Sequence, residues 1–404
     1  MKIIKNVFST EFCFIMFVFS GAFKESVNIP IDLSVLFLGL TLIGTCVRFI
    51  KKPFIKKWHL MILTIFISLL MIMLISIMFG TYTEDSMDKI VKFTLLTLPT
   101  VILPMLFIQG KKSIEKLFIA ISIIGTILSI ASLPMILNPS SMFVGFNDGN
   151  YMGLARLTGA SFIILSYFII VSKKRFKILI LPFWILNIVV LMSTGSRMPI
   201  VALVIAGLYL LTKVFIIKDS KLYIRKKAMY LFVTLIIGII AFVRMLTLGM
   251  FDTVIYRFGT LFQSGGGVSV STRIERYKAS IEMFSDHILS GVGIGNFGLF
   301  HDTKGFGSYS HNLFFELISE LGIFGMIWFF IFISLFVYVM FKLSVKYPLG
   351  LRITTIIITL YFFLNAMVSG DINDNRALYF FIIVLAYMSY ERKELNLNKK
   401  EIAI

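Results

Sequence analysis

The sequence predicts an all-α integral membrane protein with about twelve transmembrane helices, and three observations carry that expectation. Of its 404 residues, 58% are hydrophobic and only 15% charged, with a mean hydropathy of +0.93. Such a chain has too few polar side chains to cover a soluble globule. Apolar runs near 20 residues, the length a helix needs to cross about 30 Å of hydrocarbon, recur along the chain. Lys and Arg gather in short blocks between those runs, where they report topology.

The expected spans are 7–23, 29–50, 59–79, 90–108, 117–137, 153–171, 178–192, 199–217, 228–246, 313–341, 353–368 and 377–390. The seventh and twelfth are short, which leaves eleven as the alternative count. Residues 7–23 read as a retained first helix, because no small-residue cleavage site follows them. With the N-terminus inside, the connections on that side carry 25 Lys and Arg. The short connections on the other side carry four: Lys24, Lys89, Arg197 and Arg376. Both termini are therefore expected in the cytoplasm. The net charge of +18 is accounted for by this bias, so nucleic acid is not an expected partner; the lipid bilayer is. Cys13 and Cys46 lie in separate apolar runs without C-x-x-C spacing, which offers neither a redox motif nor a zinc site.

One membrane domain over 1–404 is expected, with a single long extracytoplasmic loop, 247–312, between spans nine and ten. Chemistry is expected there, since loops of that length are usually functional. Within it, Ile274, Tyr277, Ile281 and Phe284 have helical spacing and would form the apolar face of a helix lying on the membrane surface. Arg273, Arg276 and Ser280 occupy the adjacent side. The arginines read either as contacts to lipid headgroups or as a bidentate grip on phosphate. The run GVGIGNFG, residues 291–298, lacks the βαβ context of a nucleotide site and reads as a tight turn allowing close backbone approach.

His311 and Asn312 stand at the mouth of the tenth span. Asn312 can cap that helix, and the helix dipole would keep His311 neutral and able to accept a proton. Asn312, Glu316, Ser319 and Glu320 share one stripe. Two carboxylates thus descend into an apolar helix, either as dipole compensation or facing a cavity or partner. Arg197, in STGSRMPI, and Arg156, at the start of the sixth span, border the same expected external side. Singly, each reads as a snorkelling anchor.

Together these segments resemble the bacterial O-antigen ligase and polymerase superfamily, the WaaL and Wzy type of membrane glycosyltransferase. The resemblance is strongest over residues 193–341. It rests on His311 and Asn312 followed by Gly322 and Gly325, on Arg273 leading through DHILSGVGIG, and on Arg197 at a helix start. Val201 stands where the family has Leu after that arginine, and Tyr277 where it has Trp.

The resemblance implies an all-α fold with an extracytoplasmic active site in the bacterial plasma membrane, no cofactor, no metal and no nucleotide sugar. It further implies that Arg197 and Arg273 grip the diphosphate of an undecaprenyl-linked oligosaccharide and that His311 assists the acceptor hydroxyl. Arg156, Arg276, Tyr277, Asn312, Glu316 and Glu320 are the expected substrate-binding residues. The expected reaction is inverting glycan transfer to a sugar hydroxyl, with a repeat-unit polymerase first, a ligase to a lipid or wall acceptor second, and a glycan-lipid flippase as the reading of another class. Other polysaccharide-export proteins are expected as partners.

The topology has a direct test. In a protein lacking Cys13 and Cys46, Ser264→Cys should react with an impermeant thiol reagent in intact cells and Ser220→Cys should not. Labelling at position 220 from outside would reverse the assignment.

Overall fold

The computed structural model describes residues 9–27, 30–51, 55–79, 82–137, 144–218, 221–224, 229–230, 233, 236–240, 243–244, 259, 268–301, 309–343 and 346–401. Nine residues of the ninth expected span, residues 247–258, 260–267 and 302–308 of the long loop, and both label positions, Ser220 and Ser264, lie outside them.

Twelve helices organise the described residues: α1 (Thr10–Val18), α2 (Leu33–Lys51), α3 (Lys57–Phe79), α4 (Glu84–Phe107), α5 (Lys111–Ala131), α6 (Tyr151–Val171), α7 (Lys174–Ser193), α8 (Arg197–Val214), α9 (Val268–Asp286), α10 (Leu313–Phe341), α11 (Leu349–Ala366) and α12 (Arg376–Glu401). Phe215–Lys218 and Lys221–Ile224 form a short antiparallel pair. Eight of the helices are long and apolar enough to cross a membrane: α2 to α7, α10 and α11. They correspond to expected spans two to seven, ten and eleven. Shorter apolar helices cover Arg197–Tyr209 and Arg376–Tyr390.

Three expected boundaries change. Span one is a helix only over Thr10–Val18, followed by 3-10 turns at Ser20–Ala22 and Lys24–Ser26. At this bend Ser20 Oγ donates to Phe17 O at 2.9 Å and lies 2.8 Å from Ser34 Oγ. The seventh span is 20 residues, because Lys174, Arg175 and Lys177 enter the helix itself, as long cationic side chains can when they snorkel. The fourth starts at Glu84. Thr83 caps it by accepting from Ser86 N at 3.2 Å, with Glu84 and Asp85 in the favourable first turn. Lys89, expected in an external connection, therefore lies inside α4.

The chain forms two compact units. The first comprises residues 1–47, 108–260 and 345–362. Its centre is the packing of α5, α6 and α7, joined by small and polar residues, as expected where lipid removes the hydrophobic drive between helices. Asn187 Nδ2 donates to Thr126 Oγ1 at 3.1 Å, Trp184 Nε1 donates to Ser166 Oγ at 2.8 Å, and the Trp184 ring stacks on Phe162 at 4.8 Å.

The second unit comprises residues 48–107, 261–344 and 363–404. Phe66 of α3, Trp328 and Phe332 of α10 and Tyr379 of α12 form its aromatic centre, with ring separations of 5.1 to 5.9 Å among the closest pairs. α10 is interrupted at Gly322, where φ is +60° and ψ is −143°. The break frees backbone groups that a membrane helix must satisfy. The turn after α9 supplies the partners: Val292 N donates to Ser319 O at 2.9 Å, Gly293 N to Glu320 O at 3.0 Å, and Ile323 N to Ile288 O at 2.8 Å. The glycine-rich run is thus a tight turn that docks onto the third turn of α10. A Cβ on Gly322 would lie 2.6 Å from Gly291 N, Ile288 O and Leu289 O.

That contact predicts the cost of filling it. Gly322→Ala meets backbone on three sides and requires a left-handed alanine, itself worth about 1–3 kcal/mol of strain, so its midpoint of thermal unfolding in detergent should fall clearly. Gly39→Ala in α2, with no heavy atom within 4 Å, should leave the midpoint unchanged or raise it. A Gly322→Ala protein as stable as the parent would remove the packing role given to the break.

Candidate functional site

Seven of the nine expected site residues fall in the second unit and are organised by α9 and the start of α10. Asn312 caps α10: its Oδ1 accepts from Phe314 N at 2.8 Å and Phe315 N at 3.2 Å. Its Nδ2 donates to Met367 O at 2.7 Å, which ties the mouth of α10 to the segment leading into the 369–375 connection.

His311, one residue earlier, has φ +59°, a left-handed conformation that non-glycine residues adopt sparingly and that collects at functional sites. Its ring meets Tyr309 edge-on at 4.2 Å. Its Nδ1 is buried with no hydrogen-bond partner. Burial first, then the charges of Arg276 and Arg273, push its pKa down to about 4 against the opposing pull of Asp374. The imidazole is neutral, as expected from the sequence, but burial and two guanidinium groups take the place of the helix dipole as the cause.

α9 presents Arg273, Arg276 and Tyr277 half-buried, with Ser280 and Met283 buried. Ile274 and Ile281, expected on a face in the membrane surface, are 47% and 49% exposed. The protein leaves these two isoleucines uncovered, half-buries Tyr277 and Phe284, and seats the Ser280–Met283 side most deeply, with Met283, Val292 and Phe297 in one apolar cluster. Arg276 Nη1 donates to Tyr309 O at 2.7 Å, while its Nε is buried without a partner. Burial lowers the Arg276 pKa, Tyr309 opposes this, and Arg273 adds to it. Tyr277 stacks on Phe315 at 4.7 Å, and burial raises its pKa against Arg273 and Asn312.

Glu316 and Glu320 are both fully buried, and the structure gives them a partner. Lys89 Nζ lies 2.5 Å from Glu316 Oε1 and 2.7 Å from each Glu320 oxygen. Glu320 Oε2 also accepts from Gly295 N at 3.0 Å, and Glu316 Oε2 has no hydrogen-bond partner. Sequence reasoning missed Lys89 because it was counted as a loop cation. The signal was present in Thr83-Glu84-Asp85, a helix start that puts Lys89 more than one turn inside.

Arg197 and Arg156 belong to the first unit. Arg197 opens α8 after a turn in which Gly195 has φ +65° and Ser196 N donates to Thr194 Oγ1 at 3.2 Å; Pro199 sits in the first turn, as its sequence suggested. Arg156 lies in the second turn of α6, whose cap is Asn150, accepting from Gly153 N at 2.9 Å. Both arginines are half-buried. Among the described residues, no group of three or more His, Cys, Asp or Glu could hold a metal ion.

Two arginines around a neutral imidazole, at the mouth of a capped helix, can hold an anion and accept a proton beside it. No curated protein matches the chain. Residues 182–330 match the family model described as O-antigen ligase, Wzy_C, a stretch that contains Arg197, Arg273, Arg276, Tyr277, His311, Asn312, Glu316 and Glu320. With eight helices long and apolar enough to cross a membrane among the described residues, the chain has the build of a multi-pass membrane protein, and the match of residues 182–330 to the O-antigen ligase model supports the O-antigen ligase and polymerase superfamily.

Proposed function

We propose that the protein is a polysaccharide polymerase, moving glycan from an undecaprenyl-diphosphate donor to a sugar hydroxyl at the outer face of the membrane, by inversion and without a metal. The observation that carries this reading is a partly buried His311 beside Arg273 and Arg276, its imidazole kept unprotonated by burial first and then by the two guanidinium charges. A diphosphate leaving group needs little bond-breaking help, so charge neutralisation and positioning supply most of the catalysis.

The same coupling gives the donor a second effect. A diphosphate between the guanidinium groups would offset the charge that depresses His311, raising its basicity when the acceptor proton must leave. Tyr277 and Asn312 would line the acceptor side. A ligase is the second reading, favoured by the description of the matching family model. A flippase is the third. The break at Gly322 is of the kind transporters use, but its freed backbone groups are bonded to residues 288–293.

Purified protein given synthetic lipid-linked repeat unit, with EDTA and no nucleotide sugar, should make longer glycans. Folded His311→Ala should lose on the order of 10²-fold or more in rate, and Arg273→Lys should be clearly impaired because the bidentate fork is gone. The acid limb of kcat/KM, which reports the free enzyme, should lie near pH 4. That of kcat should lie higher, because His311 loses its protonation only above its own pKa and bound diphosphate raises that value. Full elongation by His311→Ala would remove it from the mechanism. Transbilayer movement of the lipid without elongation would favour the flippase.

A further inference from the structure

An ammonium group held by two carboxylates inside an apolar helix pair is costly wherever lipid surrounds it, and nothing in the reaction above uses its charge. Its connections do bear on the reaction. From α4, Lys89 Nζ reaches Glu316 and Glu320, one and two turns below the His311–Asn312 cap. The carbonyl of Lys89 accepts from Asn373 Nδ2 at 3.1 Å, and Asn373 Oδ1 accepts from Thr97 Oγ1 at 2.8 Å. This fixes the 371–375 connection, which also holds Asp374, the residue that pulls on His311. Within that connection Asp374 N donates to Asp371 Oδ1 at 2.8 Å.

A third arm reaches the glycine turn. Glu320 Oε2 accepts from Gly295 N, and Asn296 Oδ1 accepts from Thr83 Oγ1 at 2.8 Å and from Ser86 Oγ at 3.2 Å at the start of α4. The turn follows α9 directly, so its seating sets where Arg273 and Arg276 stand. The charge cluster itself therefore joins α4, the mouth of α10 and, through Gly295, the turn after α9, while the 371–375 connection is held to the same turn of α4 by the main chain of Lys89.

We propose that Lys89, with Glu316 and Glu320, is a positioning residue for glycan transfer: the buried ion cluster holds the α10 mouth and the turn at 291–296 in one register around His311. The physical basis is that buried ion pairs seldom add stability over neutral residues of equal volume but do discriminate between arrangements. A site misplaced by about 1 Å can lose about 10²-fold in rate. The inference rests on the transferase reading for its kinetic consequence, and on the hydrogen-bond network alone for its structural one.

The test uses the full-length protein in detergent or nanodiscs. Lys89→Met alone strands two carboxylates and can fail to fold, so the informative variant is Lys89→Met/Glu316→Gln/Glu320→Gln, neutral at nearly constant volume, beside Lys89→Arg. Two quantities are read: amide hydrogen exchange over 291–296 and 310–316, and kcat and KM for synthetic lipid-linked repeat unit. The neutral triple variant should purify folded, exchange at least about tenfold faster in those segments, and lose about 10²-fold in kcat with little change in KM. Lys89→Arg should recover most of both.

Exchange and kcat like the parent's in the triple variant would overturn the proposal. So would a raised KM at unchanged kcat, or failure of the triple variant to fold, since Lys89 would then serve binding or folding. If the unmodified protein does not elongate glycan at all, the polymerase reading falls, and the exchange of the two segments alone decides whether Lys89 holds their register.

Discussion

A charge cannot sit alone in hydrocarbon, and the second unit is arranged around that constraint. Lys89 is 9% exposed and Glu316 and Glu320 are fully buried, so each is tolerable only while the others are in place. Removing one partner of a buried pair typically costs about 3–5 kcal/mol through the charge left behind. The requirement is geometric: α4 must start at Glu84 and stand beside α10, and α10 must present its acidic stripe to α4. The π-helical segment Phe93–Thr97 that follows in α4 carries Thr97, the hydroxyl that bonds Asn373. A local change in helical winding therefore sits where α4 meets the 371–375 connection.

The break in α10 is the second constraint, and it is of the same kind. Backbone groups freed at Gly322 need partners at membrane depth, and among the described residues the turn at 288–293 supplies them. This seats a loop that would otherwise be free at the membrane surface. The apolar cluster of Met283, Val292 and Phe297 then anchors α9, and with it Arg273 and Arg276. The glycines are required for contact between two backbones, with Gly291 and Gly322 opposed. No phosphate cradle is needed to explain them.

The electrostatics at the mouth follow from these two anchors. His311 is strained, partly buried and flanked by like charge, a combination that keeps it unprotonated at the expense of basicity. Under the proposed reaction, an anion between the arginines would restore it, and the site would respond to a donor through charge, with no moving part required. The O-antigen ligase model matches residues 182–330, which run from the second half of α7 through α8 and α9 into α10.

The sequence by itself determined the membrane class, most span positions, the Asn312 cap, the nature of the glycine turn and the residues around His311. These are legible because apolar run length, capping chemistry and short motifs are local along the chain. It did not determine the partner of Glu316 and Glu320. Lys89 lies 227 residues from the first and 231 from the second, and no local rule pairs a cation with a helix that distant. The orientation of α9 was likewise open, because a helix with apolar residues on one side and arginines on the next can turn either toward its neighbours. Only the tertiary structure decided it, through the need of α10's broken backbone for hydrogen-bond partners, which draws the turn after α9 against Gly322 and seats the Ser280–Met283 side inward.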